Sequence, residues 1–140
     1  MAGQLTADGR QPLELARTRS FHYSWFNLQA LSALATVVGK HGSGDLWHYR
    51  TPQGSGLLTA LDFMAPWSDG AKHWPYPSLD HIGVRLIPLL VQADNQLQSQ
   101  RYRQSIEQAD WTLPAAGAAR GATLDAQRAS WLLAVPAYSR

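Results

Sequence analysis

The sequence predicts an all-α protein, and three observations carry that prediction. Apolar residues recur at three- and four-residue spacing from Ser20 to Val38, the period of a helix with one apolar face. No stretch alternates apolar and polar residues for long, and no hairpin dipeptide sits between β-rich runs. Glycine or proline falls where helices are expected to stop, at Gly39, Pro66 and Pro136.

Taken in order, residues 1–16 read as an extended lead-in: Asp8-Gly9 is a turn signal and Pro12 argues against an early helix. The first helix runs from Ser20, an N-cap type, to Val38, with Gly39 as C-cap. Its predicted core stripe is Phe21, Trp25, Leu28, Leu31, Leu34, Ala35 and Val38. A glycine-rich connection leads to Asp45, which is expected to cap a short turn with Leu46, Trp47 and Tyr49 packed inward. A second helix covers 57–65 and stops at Pro66. Residues 66–78 hold too much proline and glycine for regular structure, yet carry Trp67, Trp74 and Tyr76. An aromatic loop of that length suits a lid or a binding rim.

A third helix is predicted over 79–97, with Ile82, Leu86, Leu89, Leu90 and Ala93 as its apolar stripe and Pro88 kinking or restarting it. A more polar helical stretch follows over 98–108. Residues 112–123 read as a flexible linker, and a short apolar helix over 124–135 closes the chain.

Composition excludes several function classes. At 140 residues, 45% hydrophobic and 16% charged, the chain suits one domain with a core and is no disordered tail. The net charge of +2 is spread from Arg10 to Arg140 without a basic block, so nucleic acid is not an expected partner. The absence of cysteine removes disulfides and thiolate chemistry. No apolar run approaches the roughly 18 residues of a membrane span, and the first ten residues carry no export signal. His73 and His81, with Asp80 beside the second, lack a third well-spaced ligand, so neither a metal nor any other cofactor is expected. No phosphate-binding glycine loop and no nucleophile elbow occur.

The stretch 17–28 (Arg-Thr-Arg-Ser-Phe-His-Tyr-Ser-Trp-Phe-Asn-Leu) concentrates the chemistry. His22 and Phe26 share one helical strip, and Tyr23 and Asn27 the next, because positions i and i+4 stack. Arg17 and Arg19 precede them. Such a polar face is costly unless it meets water, a partner or a substrate.

Four motifs together resemble the alginate lyase family. They are residues 12–28, Asp45-Leu-Trp-His-Tyr, Ala60-Leu-Asp-Phe-Met-Ala-Pro-Trp and Trp74-Pro-Tyr-Pro, in the right order across about residues 9–90. The resemblance implies an incomplete α/α toroid and β-elimination on a uronic-acid polymer. It further implies that Tyr23 is the catalytic tyrosine, that Arg17 or Arg19 partners the substrate carboxylate and favours the phenolate, and that His22 assists. An unperturbed phenol titrates near about 10, so a neighbouring cation is what makes it usable as a base. Arg19, Asn27, Trp67, Trp74 and Tyr76 are the expected substrate contacts, with flat rings offering an apolar face to sugar. In the family an asparagine and a histidine that hold the carboxylate lie upstream of this motif, so the chain is expected to be a C-terminal portion of such a lyase, whose parent acts in the periplasm or outside the cell. A non-catalytic module binding acidic carbohydrate, or an inactive remnant, are the other readings.

Overall fold

The computed structural model describes residues 3–132. Six α-helices occur among them: α1 (Pro12–Leu15), α2 (Ser20–Lys40), α3 (Leu57–Met64), α4 (Ile87–Leu97), α5 (Arg103–Glu107) and α6 (Ala118–Leu132). Two 3₁₀ turns form, Ala65–Ser68, which takes in Trp67 at the start of the aromatic loop, and Gly83–Leu86 after it. No strand forms among the described residues; one isolated antiparallel bridge pairs Arg19 with Ser78. The all-α prediction holds. Among the described residues no helix is long and apolar enough to cross a membrane.

The chain packs as two units: Met1–Met64 with Trp74–His81, and Ala65–His73 with Ile82–Arg140. In the first unit α2 is the central rod. Its buried residues are Ser20, Phe21, Ser24, Leu28, Ser32 and Ala35, a strip of three- and four-residue steps. The strip is narrower and more polar than predicted. Trp25, Leu31 and Val38 are half-buried and Leu34 is exposed; the period was right, but serines take three of the six buried places. The hydroxyls of Ser24 and Ser32 are buried without a hydrogen-bond partner.

Ser20 is the first helical residue and Arg19 the cap. Its hydroxyl donates to the Pro77 carbonyl and accepts the Trp74 indole N–H at 2.8 Å. Phe21, fully buried, meets Trp74 edge-on at 5.2 Å and His81 at 4.6 Å. Trp74 in turn touches Tyr76 at 5.2 Å and Phe63 of α3 at 6.4 Å. The segment 74–81 is thus drawn onto α2 and α3 by one aromatic cluster. In this unit Leu57, Leu61 and Met64 of α3 and the indole of Trp47 complete the core. Asp45 caps its turn as predicted, accepting the His48 N–H at 3.1 Å, but Tyr49 is exposed.

The lead-in is more ordered than its composition suggests. Pro12 starts α1 instead of preventing it, because the first helical position needs no N–H and proline's fixed φ suits it. Gly9 sits at φ +86°, and a Cβ there would lie 2.1 Å from the Thr59 carbonyl oxygen. Only glycine fits that approach.

In the second unit, the predicted helix over 79–97 divides. Residues 79–82 are not helical, and α4 begins at Ile87 with Pro88 in its first turn, the restart rather than the kink. Leu86, Leu89, Leu90 and Ala93 are buried as the stripe predicted. Gln98, left-handed at φ 50°, ends α4. Buried Asp94 then ties α4 to the start of α5, accepting from the Ser99 hydroxyl at 2.8 Å and the Tyr102 N–H at 3.1 Å. The polar stretch over 98–108 is helical only in α5. The linker over 112–123 is corrected: residues 118–123 are the start of α6, with Ala122 and Thr123 buried. Alanines favour helix as well as flexible chain, and packing decided between them. The end of the predicted closing helix, 133–135, lies outside the described residues.

Two predictions test these supports. Phe21→Ala is expected to cost about 3–5 kcal/mol of stability. Trp74→Phe, which keeps a ring but drops the Ser20 bond, is expected to cost about 1–3 kcal/mol; urea midpoints check both. A separate prediction concerns Asp8, whose carboxyl is held down to about 2, first by the Thr6 hydroxyl and then by Arg10. A depressed carboxylate contributes stability above its unfolded pKa, near 3.8, and loses it as pH falls through its folded value. The gap in melting temperature between the native chain and Asp8→Asn is therefore expected to be small but constant near neutrality, and to close between about pH 4 and pH 2.

Candidate functional site

The start of α2 gathers most of the sequence-predicted site residues in the first unit. α1 sets the approach: the Arg17 N–H donates to the Glu14 carbonyl at 3.1 Å, turning the chain toward α2. The Arg17 side chain, half-exposed, lies 3.9 Å from the Glu14 carboxylate. Its guanidinium carbon stands 3.7 Å from the centroid of the Tyr23 ring. This is face-on cation–π stacking, so the cation sits on the ring and not at the phenolic oxygen.

Arg17 and Arg19 separate clearly. Arg19 reaches Asp80, N–H to Oδ2 at 3.1 Å, with both side chains about one-third exposed. Beside the Arg19–Ser78 bridge, that pair fastens the 74–81 segment. Arg17 is the arginine that touches Tyr23.

His22 is half-buried on the flank of the same helix turn. Its ring meets Tyr23 edge-on at 5.4 Å, Trp25 at 5.5 Å and Phe26, nearly parallel, at 6.3 Å. Asn27, one turn beyond Tyr23, donates to the Gln11 side-chain oxygen at 2.8 Å, and Gln11 donates to the Ser24 carbonyl at 3.2 Å. Gln11 is 1% exposed. A buried glutamine is costly unless bonded, and these two bonds hold α1 against α2. Sequence reasoning missed Gln11: a polar residue before a proline carries no signal of burial.

The aromatic loop does not behave as one rim. Trp74 is only 5% exposed and its N–H is taken by Ser20, so it is a core residue and offers sugar no free face. Tyr76 is half-buried beside it and lies close to Arg10. Asp8 first, and then Tyr76, hold the Arg10 guanidinium above its ordinary pKa. Trp67 belongs to the second unit, where its indole donates to the His73 carbonyl at 3.1 Å and Lys72 lies 5.3 Å from its ring. Among the described residues no group of three His, Asp or Glu side chains is placed to hold a metal ion.

Arg17, His22 and Tyr23 thus form one contiguous group at the head of α2: a cation stacked on a phenol, with an imidazole against its edge. Such a group can place positive charge and a proton donor or acceptor against one anionic ligand. The model of the alginate lyase family matches residues 1–74, which include α1, α2, α3 and Trp74. The match stops within the fourth motif, short of Tyr76, and short of residue 90, to which the resemblance was expected to extend. Comparison with curated proteins and with solved structures gives no match. More than half of the sequence, including every residue of the Arg17–His22–Tyr23 group, falls within the matched span, and the chain belongs to the alginate lyase family.

Proposed function

We propose that the chain contributes to β-elimination on a uronic-acid polysaccharide, alginate being the favoured class, with Tyr23 as the acid–base residue. The observation that carries this reading is the Arg17–Tyr23 stack at 3.7 Å inside the family-matched span. The helices would be part of an incomplete α/α toroid, acting outside the cytoplasm as alginate lyases do.

The chemistry assigns a part to each residue. The uronate C5–H bond breaks, its proton passes to the Tyr23 oxygen and its electron pair becomes the C4–C5 double bond. The C4–O bond breaks with it, and the leaving oxygen takes a proton, supplied by the same phenol when both groups lie on one face of the sugar. Negative charge grows on the substrate carboxylate as C5 loses its proton, and a cation there lowers the barrier. Arg17 fits that part: with its guanidinium carbon over the Tyr23 ring it still has N–H groups for a carboxylate. His22 lines the same turn and is suited to a hydroxyl or carboxylate oxygen of the sugar. Arg19, tied to Asp80, and Asn27, tied to Gln11, serve mainly to hold the face in place.

Incubation of the purified chain with alginate is expected to raise absorbance in the unsaturated-uronate band. Tyr23→Phe is expected to lower that rate at least about 100-fold while leaving the circular dichroism spectrum unchanged. An equal rate in Tyr23→Phe would overturn the assignment. Binding of the polymer with no absorbance rise would replace catalysis by a carbohydrate-binding role.

A further inference from the structure

The turn before α1 carries a cation that the Arg17–His22–Tyr23 group does not use. Residues 6–10 close on themselves: the Thr6 N–H donates to the Arg10 carbonyl at 2.9 Å, and the Gly9 N–H to the Thr6 carbonyl at 3.0 Å. Gly9 presses this turn onto α3, where a Cβ would lie 2.1 Å from the Thr59 carbonyl oxygen and 2.9 Å from the Phe63 Cβ. The backbone that carries Arg10 is therefore fixed on α3, while the Arg10 side chain stays exposed.

Tyr76 reaches the same place from the 74–81 segment. Its ring lies 6.4 Å from Phe63 and 5.2 Å from Trp74, and its hydroxyl is a hydrogen-bond partner of the Arg10 guanidinium. The guanidinium is held elsewhere through Nε, which donates to Asp8 at 2.8 Å, and Asp8 is itself held by the Thr6 hydroxyl. Most guanidinium N–H groups sit on the terminal nitrogens, more than one tyrosine hydroxyl can take. A carboxylate is the anion that matches such a planar fork. Asp8 offsets part of the charge, so recognition here rests on the geometry of the fork more than on long-range attraction.

Both residues adjoin the head of α2. Gln11, next to Arg10, donates to the Ser24 carbonyl and accepts from Asn27. The Pro77 carbonyl, next to Tyr76, accepts from the Ser20 N–H at 3.0 Å. Ser20, Ser24 and Asn27 bracket Tyr23 on the helix. A polymer with its scissile sugar at Tyr23 brings a neighbouring sugar to this vicinity, and every sugar of a polyuronate carries a carboxylate.

We propose that Arg10 and Tyr76 form an anion subsite for the carboxylate of a uronate flanking the one cleaved. The proposal rests on the β-elimination reading for its ligand class. Neither residue touches the reacting atoms; their part is to hold the polymer.

Calorimetry on the Tyr23→Phe chain tests it, since no turnover then consumes the ligand. The ligands are a saturated alginate tetrasaccharide and the same tetrasaccharide with its carboxyls reduced to alcohols. The chain is expected to prefer the carboxylated form, and Arg10→Gln to cut that preference about 10-fold. Arg10→Lys, which keeps the charge without the fork, is expected to recover only part of it. Tyr76→Phe, which keeps the ring against Phe63 and Trp74, is expected to weaken binding about 2- to 10-fold. A carboxylate preference untouched by Arg10→Gln would overturn the proposal. Equal weakening toward both oligosaccharides would do so too, marking Arg10 as a structural residue, as would an absence of binding. The absorbance assay on the native chain reads elimination separately. A rise there beside an Arg10-independent preference sinks the subsite alone. No rise beside an Arg10-dependent preference sinks β-elimination and leaves a site for acidic carbohydrate.

Discussion

A buried serine hydroxyl holds the first unit together. Ser20 stands where the chain enters α2, donates to the Pro77 carbonyl and receives the Trp74 indole N–H. The two bonds set the height at which the 74–81 segment crosses the helix. That height in turn lets Phe21 slide under Trp74 and His81 and brings Asp80 within reach of Arg19. A larger side chain at residue 20 would remove both bonds and the clearance together. The site inherits its rigidity from this joint, since Tyr23 lies one turn further along the same rod.

The two arginines before α2 show how a small backbone difference divides two like side chains. Both are cations at the head of a helix, where the N-terminal dipole disfavours positive charge. Each is compensated, but differently. Arg19 finds a carboxylate from a distant segment; Arg17 finds the face of an aromatic ring and a more distant Glu14. The first is fixed in a structural pair, whereas the second keeps N–H groups that can turn to an anion.

Much of this was legible in the chain itself, because it depended on period and punctuation. The α2 pattern, the stop at Pro66, the Asp45 cap and the Leu86–Ala93 stripe all followed from local rules. The adjacency of His22 and Tyr23 on one turn followed too, whereas the choice of Arg17 over Arg19 beside Tyr23 did not, since both arginines precede the helix. What escaped was set by partners far along the chain. Nothing near Gln11 foretells burial against α2, and nothing near Trp74 tells a groove-lining indole from one whose N–H is claimed 54 residues away. The start of α6 was missed because alanine and glycine leave local preference undecided until Ala122 and Thr123 pack. Trp25 and Leu31 were misjudged for the opposite reason: hydrophobicity marked them as core, while the buried strip of α2 turns out to carry Ser20, Ser24 and Ser32.

The approach of Gly9 to Thr59 bears on how the protein can be handled. The first ten residues have the composition of a disposable leader, and a cloning design would treat them as such. Yet the backbone there rests directly on α3, with no side chain between them to absorb an error. Trimming that stretch, or fusing a bulky tag close to it, would disturb α3 from outside as surely as a poor substitution would from within.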